Sequence, residues 1–284
     1  MSRGYLVLAQ NSKGGDYLRM AYALALSIRN SQKTINNISL ATDLPEDKLD
    51  KKTRTAFDKI VPIPWIDAAV DSDWKIDNKW KYYHMTPYDE TIILDADMIF
   101  STDISYWWDI LSKQDIWITD KPVTYRGEII TSTKYRNTFV ENELPNVYTA
   151  FMYFKKTALS AELFALVEII FNNWERFFYT YLNESRPKHL SGDVAYALAI
   201  KLLGIENECF GKLTDMPSFV HMKGHLQNID EKLIREDWTK TIPTYFREDG
   251  RFKIGSYEQL LPVHYHIKDW LTDEMITILE KRVM

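Results

Sequence analysis

A single cysteine, Cys209, stands in a chain of 284 residues, so no internal disulfide can brace the fold. Glycine and proline are scarce, 10 of each, which excludes collagen-like and low-complexity architectures. Long apolar runs are missing as well. The longest, Leu163 to Phe171, contains Glu168 and falls far short of the ~20 residues a membrane-spanning helix needs. No charged, apolar and small-residue leader of the signal-peptide kind opens the chain. These absences predict a cytoplasmic protein with no membrane span. An excess of positive charge is also lacking: Lys+Arg 35 against Asp+Glu 40 gives −5, which excludes a polycation built to coat nucleic acid and leaves only room for a local basic face.

Apolar residues make up 45% and charged residues 26%, the composition of an ordinary globular protein with a sizeable core. At roughly 100–200 residues per domain the length suits one large or two small domains. Neither a repeat nor a linker marks a boundary, so one domain over 1–284 is expected. Aromatics are the unusual class at 14%, with 9 Trp and 17 Tyr. They can fill a core or offer flat faces on which sugars and bases stack.

Strand and helix signals alternate from the start. Tyr5 to Ala9 reads as a strand, Gln10 to Gly15 as a polar loop, and Asp16 as the N-cap of a helix with Leu18, Ala21, Ala25 and Ile28 at helical spacing. Ile38–Thr42 is a second strand. Ile60–Ile63 is a third, placed at an edge because Pro62 cannot donate to a ladder. Thr91–Leu94 is apolar on both faces, as a central parallel strand is. The pattern predicts an α/β fold with a mostly parallel sheet and crossover helices. Further on, 115–118 and 150–154 read as strands, 158–182 and 194–203 as helices, 218–221 and 261–264 as short strands, and 272–283 as a closing helix capped by Thr272. The stretch Pro122 to Pro145 is polar, basic at Arg126, Lys134 and Arg136, and without period, the profile of a functional loop.

The sharpest feature is Leu94-Asp95-Ala96-Asp97, at the carboxyl end of the most strongly predicted strand. Ligands of open α/β sheets bind beyond such ends. Side chains at i and i+2 of an extended strand point the same way, so both carboxylates can meet one hard cation. A phosphatase that uses Asp-x-Asp as nucleophile carries it on the first strand, followed by Gly or Thr. Here it lies on the fourth, followed by Met98-Ile99-Phe100. A sugar nucleotidyltransferase needs a Gly-rich phosphate loop that Gly14-Gly15 does not supply.

Ile-Leu-Asp-Ala-Asp-Met resembles the metal-binding motif of GT-A glycosyltransferases, which have a Rossmann-like fold, and especially the glycogenin-like group, glycosyltransferase family 8. Three further segments match in order. Leu8-Ala9, the polar loop, Asp16-Tyr17 and Ala25 to Ile28 resemble the group's first strand and helix, where the loop receives the nucleotide base. Asn78-Lys79-Trp80-Lys81 occupies the place of the basic helix that contacts the donor. His264-Tyr265-His266-Ile267-Lys268-Asp269-Trp270 resembles the late segment in which a His completes the metal site and a Lys meets the diphosphate, although it lacks the group's glycine and proline and is shorter.

The resemblance spans residues 4–270. It implies transfer of a sugar, with retention, from a nucleotide-diphosphate sugar, UDP-linked by preference, to an acceptor hydroxyl. It also implies Mn²⁺ or Mg²⁺ on Asp95, Asp97 and either His264 or His266, and donor contacts from Ala9, Gln10, Asn11, Tyr17, Lys79, Asp95, Lys268 and Trp270. Residues 1–100 would form the nucleotide-binding half, 101–270 the acceptor side and 271–284 a terminal helix. Asp193, at a helix start in Ser191-Gly192-Asp193, is either a plain N-terminal acid favoured by the helix dipole or, as the family has it, the catalytic acid facing the sugar. A non-catalytic nucleotide-sugar binder on the same fold is the alternative.

The spacing of Trp74, Asn78 to Lys81, Thr86-Pro87 and the Asp-x-Asp also resembles transferases of tailed phages, some of which decorate hydroxymethylated pyrimidines in DNA. Between Lys121 and Asn137 stand Lys121, Arg126, Lys134 and Arg136 against one acid, Glu128, with Tyr125 and Tyr135 interleaved. That composition can hold phosphates and stack an extruded base. A hydroxymethylated base is therefore the acceptor expected here, with a glycan or lipopolysaccharide as the alternative.

Overall fold

The structure is a computed structural model that describes residues 1–72, 75–182, 189–210, 217–225, 234–235 and 238–283; Trp74 lies outside them. In chain order the strands among these residues are β1 (Arg3–Leu8), β2 (Ile38–Thr42), β3 (Lys59–Pro62), β4 (Glu90–Asp95), β5 (Met98–Ile99), β6 (Ile116–Thr119), β7 (Tyr148–Lys155), β8 (Val220–His221), β9 (Thr244–Phe246), β10 (Phe252–Ile254), β11 (Tyr257–Glu258) and β12 (Val263–His264). The principal helices are α1 (Tyr17–Ser31), α2 (Ala158–Asn172), α3 (Gly192–Leu203) and α4 (Asp273–Val283).

Six strands form the central sheet in the order β3-β2-β1-β4-β7-β6. β3, β2, β1 and β4 run parallel, whereas β7 is antiparallel to both β4 and β6. The fold is therefore α/β around a mostly parallel sheet, with Pro62 on an edge strand as expected. Alternation along each strand feeds two cores. Tyr5, Val7, Ile92 and Leu94 face one, together with α1, α4, Trp107 and Trp108. Leu6, Ile93, Ile118, Met152 and Phe154 face the other, with α2 and α3. Both faces being covered is why Ile92, Ile93 and Leu94 of β4 are apolar on either side before Asp95.

Three differences from the sequence reading have local causes. The helix expected over 158–182 breaks at Asn173, whose side-chain amide donates to the Ile169 carbonyl at 2.9 Å and competes with the helical ladder; a shorter helix, Trp174–Tyr181, follows. The segment 122–145 is partly ordered by a bridge of Val123 to Ile129, one of Val123 to Val220, and a turn of helix at Asn137–Glu141. After Asp95 the chain turns at once instead of staying extended, so Asp97 is brought round by a turn and not by strand periodicity.

That turn leads into β5, which pairs with β12, itself parallel to β8. This small sheet carries residue 264 to the end of β4. Its base rests on Ser27 of α1: the buried hydroxyl accepts from the Phe100 N–H at 3.0 Å and donates to the Leu24 carbonyl at 2.7 Å. Ser27→Ala leaves a buried N–H without a partner and should lower unfolding stability by about 1–3 kcal/mol in urea titrations. A loss within a few tenths would show that this link does not hold the segment.

Candidate active and metal site

Asp95, Asp97 and His264 converge at the carboxyl end of β4, with one ligand atom from each lying within 4.8 Å of the others. The register explains it. His264 pairs with Met98 on one side and His221 on the other, and the Tyr265 N–H donates to the Asp97 carbonyl at 3.1 Å. Two carboxylate oxygens and an imidazole nitrogen form a mixed donor set that fits a divalent ion of the Mn²⁺ or Mg²⁺ kind.

Each acid has a lysine. Lys79, at the start of the short helix Lys79–Lys81, reaches Asp95 Oδ1 at 2.6 Å, and Lys268 reaches Asp97 Oδ2 at 2.5 Å. Asp97 Oδ1 faces His264 Nε2 at 3.2 Å. Burial would raise the Asp97 pKa, but His264 and Lys268 outweigh it and hold the carboxyl far below its ordinary range. His264 moves the other way: burial opposes its charge, yet Asp97 and Asp95 raise its pKa. Lys79 is likewise raised despite burial, first by Asp95. On the far edge of the His264 ring, Nδ1 lies 3.2 Å from Nδ1 of His221, with the rings stacked at 5.1 Å. This pairing fixes the imidazole plane and leaves Nε2 aimed at the acids.

His266 does not share a strand face with His264. The strand ends at His264, and His266 has φ +58, a left-handed conformation that breaks the extended alternation. Burial, Lys223 and His264 push its pKa down to about 4, and it lies outside the three-residue group.

The other expected donor residues divide in two. Tyr17 lies under the Lys268 ammonium, 4.9 Å from its ring centre, and so borders the site. Ala9 is buried and hydrogen-bonded to Ala41, and Asn11 caps α1 through the Leu18 N–H. Gln10 is buried in a closed network, donating to Asp67 at 2.9 Å and accepting from Asn78 at 2.8 Å. Trp270 packs on Tyr265 at 4.9 Å and donates to Thr244, a core position that props the His264 to Lys268 segment from behind. Trp107 and Trp108 are core residues, as their apolar setting predicts.

Asp193, in the first turn of α3, accepts from the Thr149 N–H at 2.9 Å, its hydroxyl at 2.7 Å and Arg136 Nη1 at 2.8 Å. Burial would raise its pKa, but Arg136 and Thr149 bring it below the ordinary range. Arg136 itself is held between the rings of Phe139 and Tyr148, 3.7 and 3.9 Å from their centres, and donates also to Asn146 and to the Val147 carbonyl. Sequence reasoning missed this pairing and the role of His221. Partners 57 and 43 residues apart leave no periodic signal.

Two adjoining cavities meet here. One of about 350 Å³ is lined by Lys79, Asp95, Thr149, Gly192, Asp193 and His264. The other, of about 470 Å³, continues past Asp193 to Lys134, Tyr135, Arg136, Lys223 and His266. A group at the metal cluster and a second molecule beyond Asp193 can therefore be bound together.

The sequence matches no family model and no curated protein. Among solved structures it is similar to apo mouse xyloside xylosyltransferase 1 over 75% of this chain and 85% of that one, at 13% identity and TM-score 0.48. It is also similar to the galactosyltransferase LgtC in complex with donor and acceptor sugar analogs (70% of each chain, 8% identity, TM-score 0.46) and to the glycosyltransferase GlyE of Streptococcus pneumoniae (74% of this chain, 45% of that one, 9% identity, TM-score 0.45). Likeness at this level assigns no activity; the chemistry has to come from the side chains.

A carboxyl whose folded pKa is depressed stabilises the fold above its unfolded pKa, and that contribution fades as the pH falls through the folded value. Arg136→Met should therefore cost about 1–3 kcal/mol at neutral pH. The gap from wild type should narrow below about pH 4, where Asp193 protonates in the unfolded chain. Urea unfolding of both proteins across that range checks it, and a gap independent of pH would rule out the ion pair as its source.

Proposed function

We propose that the chain is a metal-dependent glycosyltransferase that moves a sugar from a nucleotide diphosphate, with UDP as the first candidate, to an acceptor hydroxyl. The observation that carries this reading is the convergence of Asp95, Asp97 and His264 with a lysine at each carboxylate. A diphosphate leaving group gains negative charge as the glycosidic bond breaks, and a divalent ion on the three ligands would supply the Lewis acid that steadies it. Lys79 and Lys268 add fixed positive charge at the same place, Tyr17 lies near the Lys268 ammonium, and the buried Gln10-Asp67-Asn78 network holds the residue that precedes Lys79.

Asp193 sits where the two cavities join, on the side of the sugar and acceptor. Three donors lower its basicity, so it is poorly suited to deprotonate an incoming hydroxyl. A fixed negative charge there instead favours the positive character that develops at the sugar carbon; retention rests on the glycogenin-like resemblance alone. In the expected division, 1–100 for the nucleotide, 101–270 for the acceptor and a terminal helix, Lys79, Asp95 and Asp97 come from the first part and Asp193 from the second, but His264 and Lys268 of the second part also stand at the metal end.

For the acceptor, the side chains favour a glycan over DNA. Of the four basic residues expected to track phosphates, Arg136 is turned inward onto Asp193, Lys121 lies beside Asp120, Arg126 rests on Tyr125 and Tyr257, and Lys134 stands by Tyr135 at the cavity. Three of the four thus have partners within the chain, which weakens a phosphate-tracking role.

Screening sugar nucleotides for metal-dependent release of free nucleoside diphosphate tests the proposal directly. Turnover should vanish with a chelator and return with Mn²⁺, and Asp97→Ala should abolish it while the fold persists. Near-normal activity of that variant in Mn²⁺ would remove these acids from the metal site. UDP and Mn²⁺ binding without turnover on any donor would instead mark a non-catalytic binder.

Two further variants separate roles. Lys268→Ala should weaken UDP binding about tenfold, the scale of one charge-assisted hydrogen bond. Asp193→Asn should lower kcat far more than donor affinity, because its charge matters chiefly in the transition state. An equal loss of Mn²⁺ binding would place Asp193 in the metal shell.

A further inference from the structure

Among the described residues, the larger cavity carries more positive than negative side chains. Lys134, Arg136 and Lys223 line it, and the one carboxylate among its described lining residues, Asp193, is paired with Arg136 at 2.8 Å. Lys223 is half-buried and, among the described residues, has neither a hydrogen bond nor an ion pair; its ammonium stands 4.2 Å from the centre of the Tyr135 ring. Lys134 approaches the same ring at 5.5 Å and is likewise without a carboxylate.

Both lysines are carried by backbone that is tied down. The Ser132 N–H donates to the His225 carbonyl at 3.1 Å, and Ile130 presses so closely on Gly224 that an added Cβ would lie 2.2 Å from its Cδ1. Both ammonium groups lie near the Tyr135 ring. Burial lowers the Lys223 pKa below the lysine range, with Asp193 opposing the shift and Arg136 adding to it. An anion bound beside Lys223 offsets that cost.

We propose that this cavity is the acceptor subsite and that it selects an anionic sugar, a sugar phosphate or uronic acid, gripped by Lys223 and Lys134 with the Tyr135 ring as its floor. The proposal rests on the glycosyl-transfer reading and deepens it. A volume of about 470 Å³ suits a molecule of one or two sugar rings. Its place beyond Asp193 sets such a molecule across from the metal cluster.

Calorimetry tests the preference with matched pairs, glucose against glucose 6-phosphate and against glucuronic acid, in saturating UDP and Mn²⁺ so that the metal end is filled. The charged members should bind about tenfold or more tighter than glucose, as one or two charge-assisted hydrogen bonds require. The two charged sugars distinguish phosphate from carboxylate as the group held. Lys223→Gln with Lys134→Gln should erase the preference, and Lys223→Arg with Lys134→Arg should keep most of it, which separates lost charge from lost fold.

Equal binding of neutral and charged sugars, no binding of either charged sugar at millimolar concentration, or a preference that survives the glutamine pair would overturn the proposal. So would sugar mass added to hydroxymethylated DNA incubated with donor, since the cavity would then serve a base. UDP binding by the wild type is read in the same experiment. Its absence sinks the donor reading, whereas its presence without charge preference sinks this inference alone.

Discussion

The site depends on one buried carboxylate. Asp97 sits between His264 and Lys268 with little exposure, and removing a charged group from water without partners costs more than a fold of this size can spare. Its partners come from the opposite end of the chain. They reach it because β12 pairs with β5 directly after the Asp-x-Asp turn, and because the Asp97 carbonyl accepts from Tyr265. The two-residue strands thus matter less as sheet than as the hinge that sets an imidazole and an ammonium against a carboxylate. Breaking either contact alone leaves the Asp97 charge less well compensated, so the three groups are energetically coupled.

A second, similar arrangement holds the other side of the cleft. Asp193 is fixed by Thr149 on β7 and by Arg136, which the rings of Phe139 and Tyr148 clamp in place. β7 is the antiparallel member of the central sheet, so its first residues emerge at the same end as the carboxyl terminus of β4. The chain reversal that made the sheet mixed is what puts Thr149 and Asp193 opposite Asp95. Lys79 links the halves, since its ammonium lies on Asp95, its carbonyl accepts from Tyr196 of α3, and its stem packs by Gly192.

Much of this architecture was legible because it obeys local rules. The uninterrupted apolar run of β4, the proline on β3 and the Asp16 cap of α1 each follow from residues a few positions apart, and all appear where those rules place them. The paired acids were legible for the same reason. What was not legible depends on distant partners or on single backbone angles. His264 and His266 look equivalent as alternating residues until the positive φ at 266 ends the strand between them. Arg136 reads as one more charge in a basic loop until Asp193, far along the chain, takes it. Gln10 sits in the loop expected to meet a base, yet Asp67 and Asn78 occupy its amide, so it shapes that wall without being free to reach from it.

The charges left after these pairings show how a molecule of net −5 can still prefer negative substrates. At the Asp95-Asp97-His264 cluster two carboxylates face two lysines, so the local sum is near neutral, and on the proposed reading a divalent ion with a diphosphate would leave it so. Past Asp193 the balance changes: among the described residues the carboxylate is matched by Arg136, and Lys134 and Lys223 remain. A low-dielectric cavity focuses such an excess, and the field inside is governed by these near charges far more than by acids scattered over the outer surface, which water and salt screen. Specificity in this fold therefore follows from which ion pairs close within the chain and which are left to be completed by what binds.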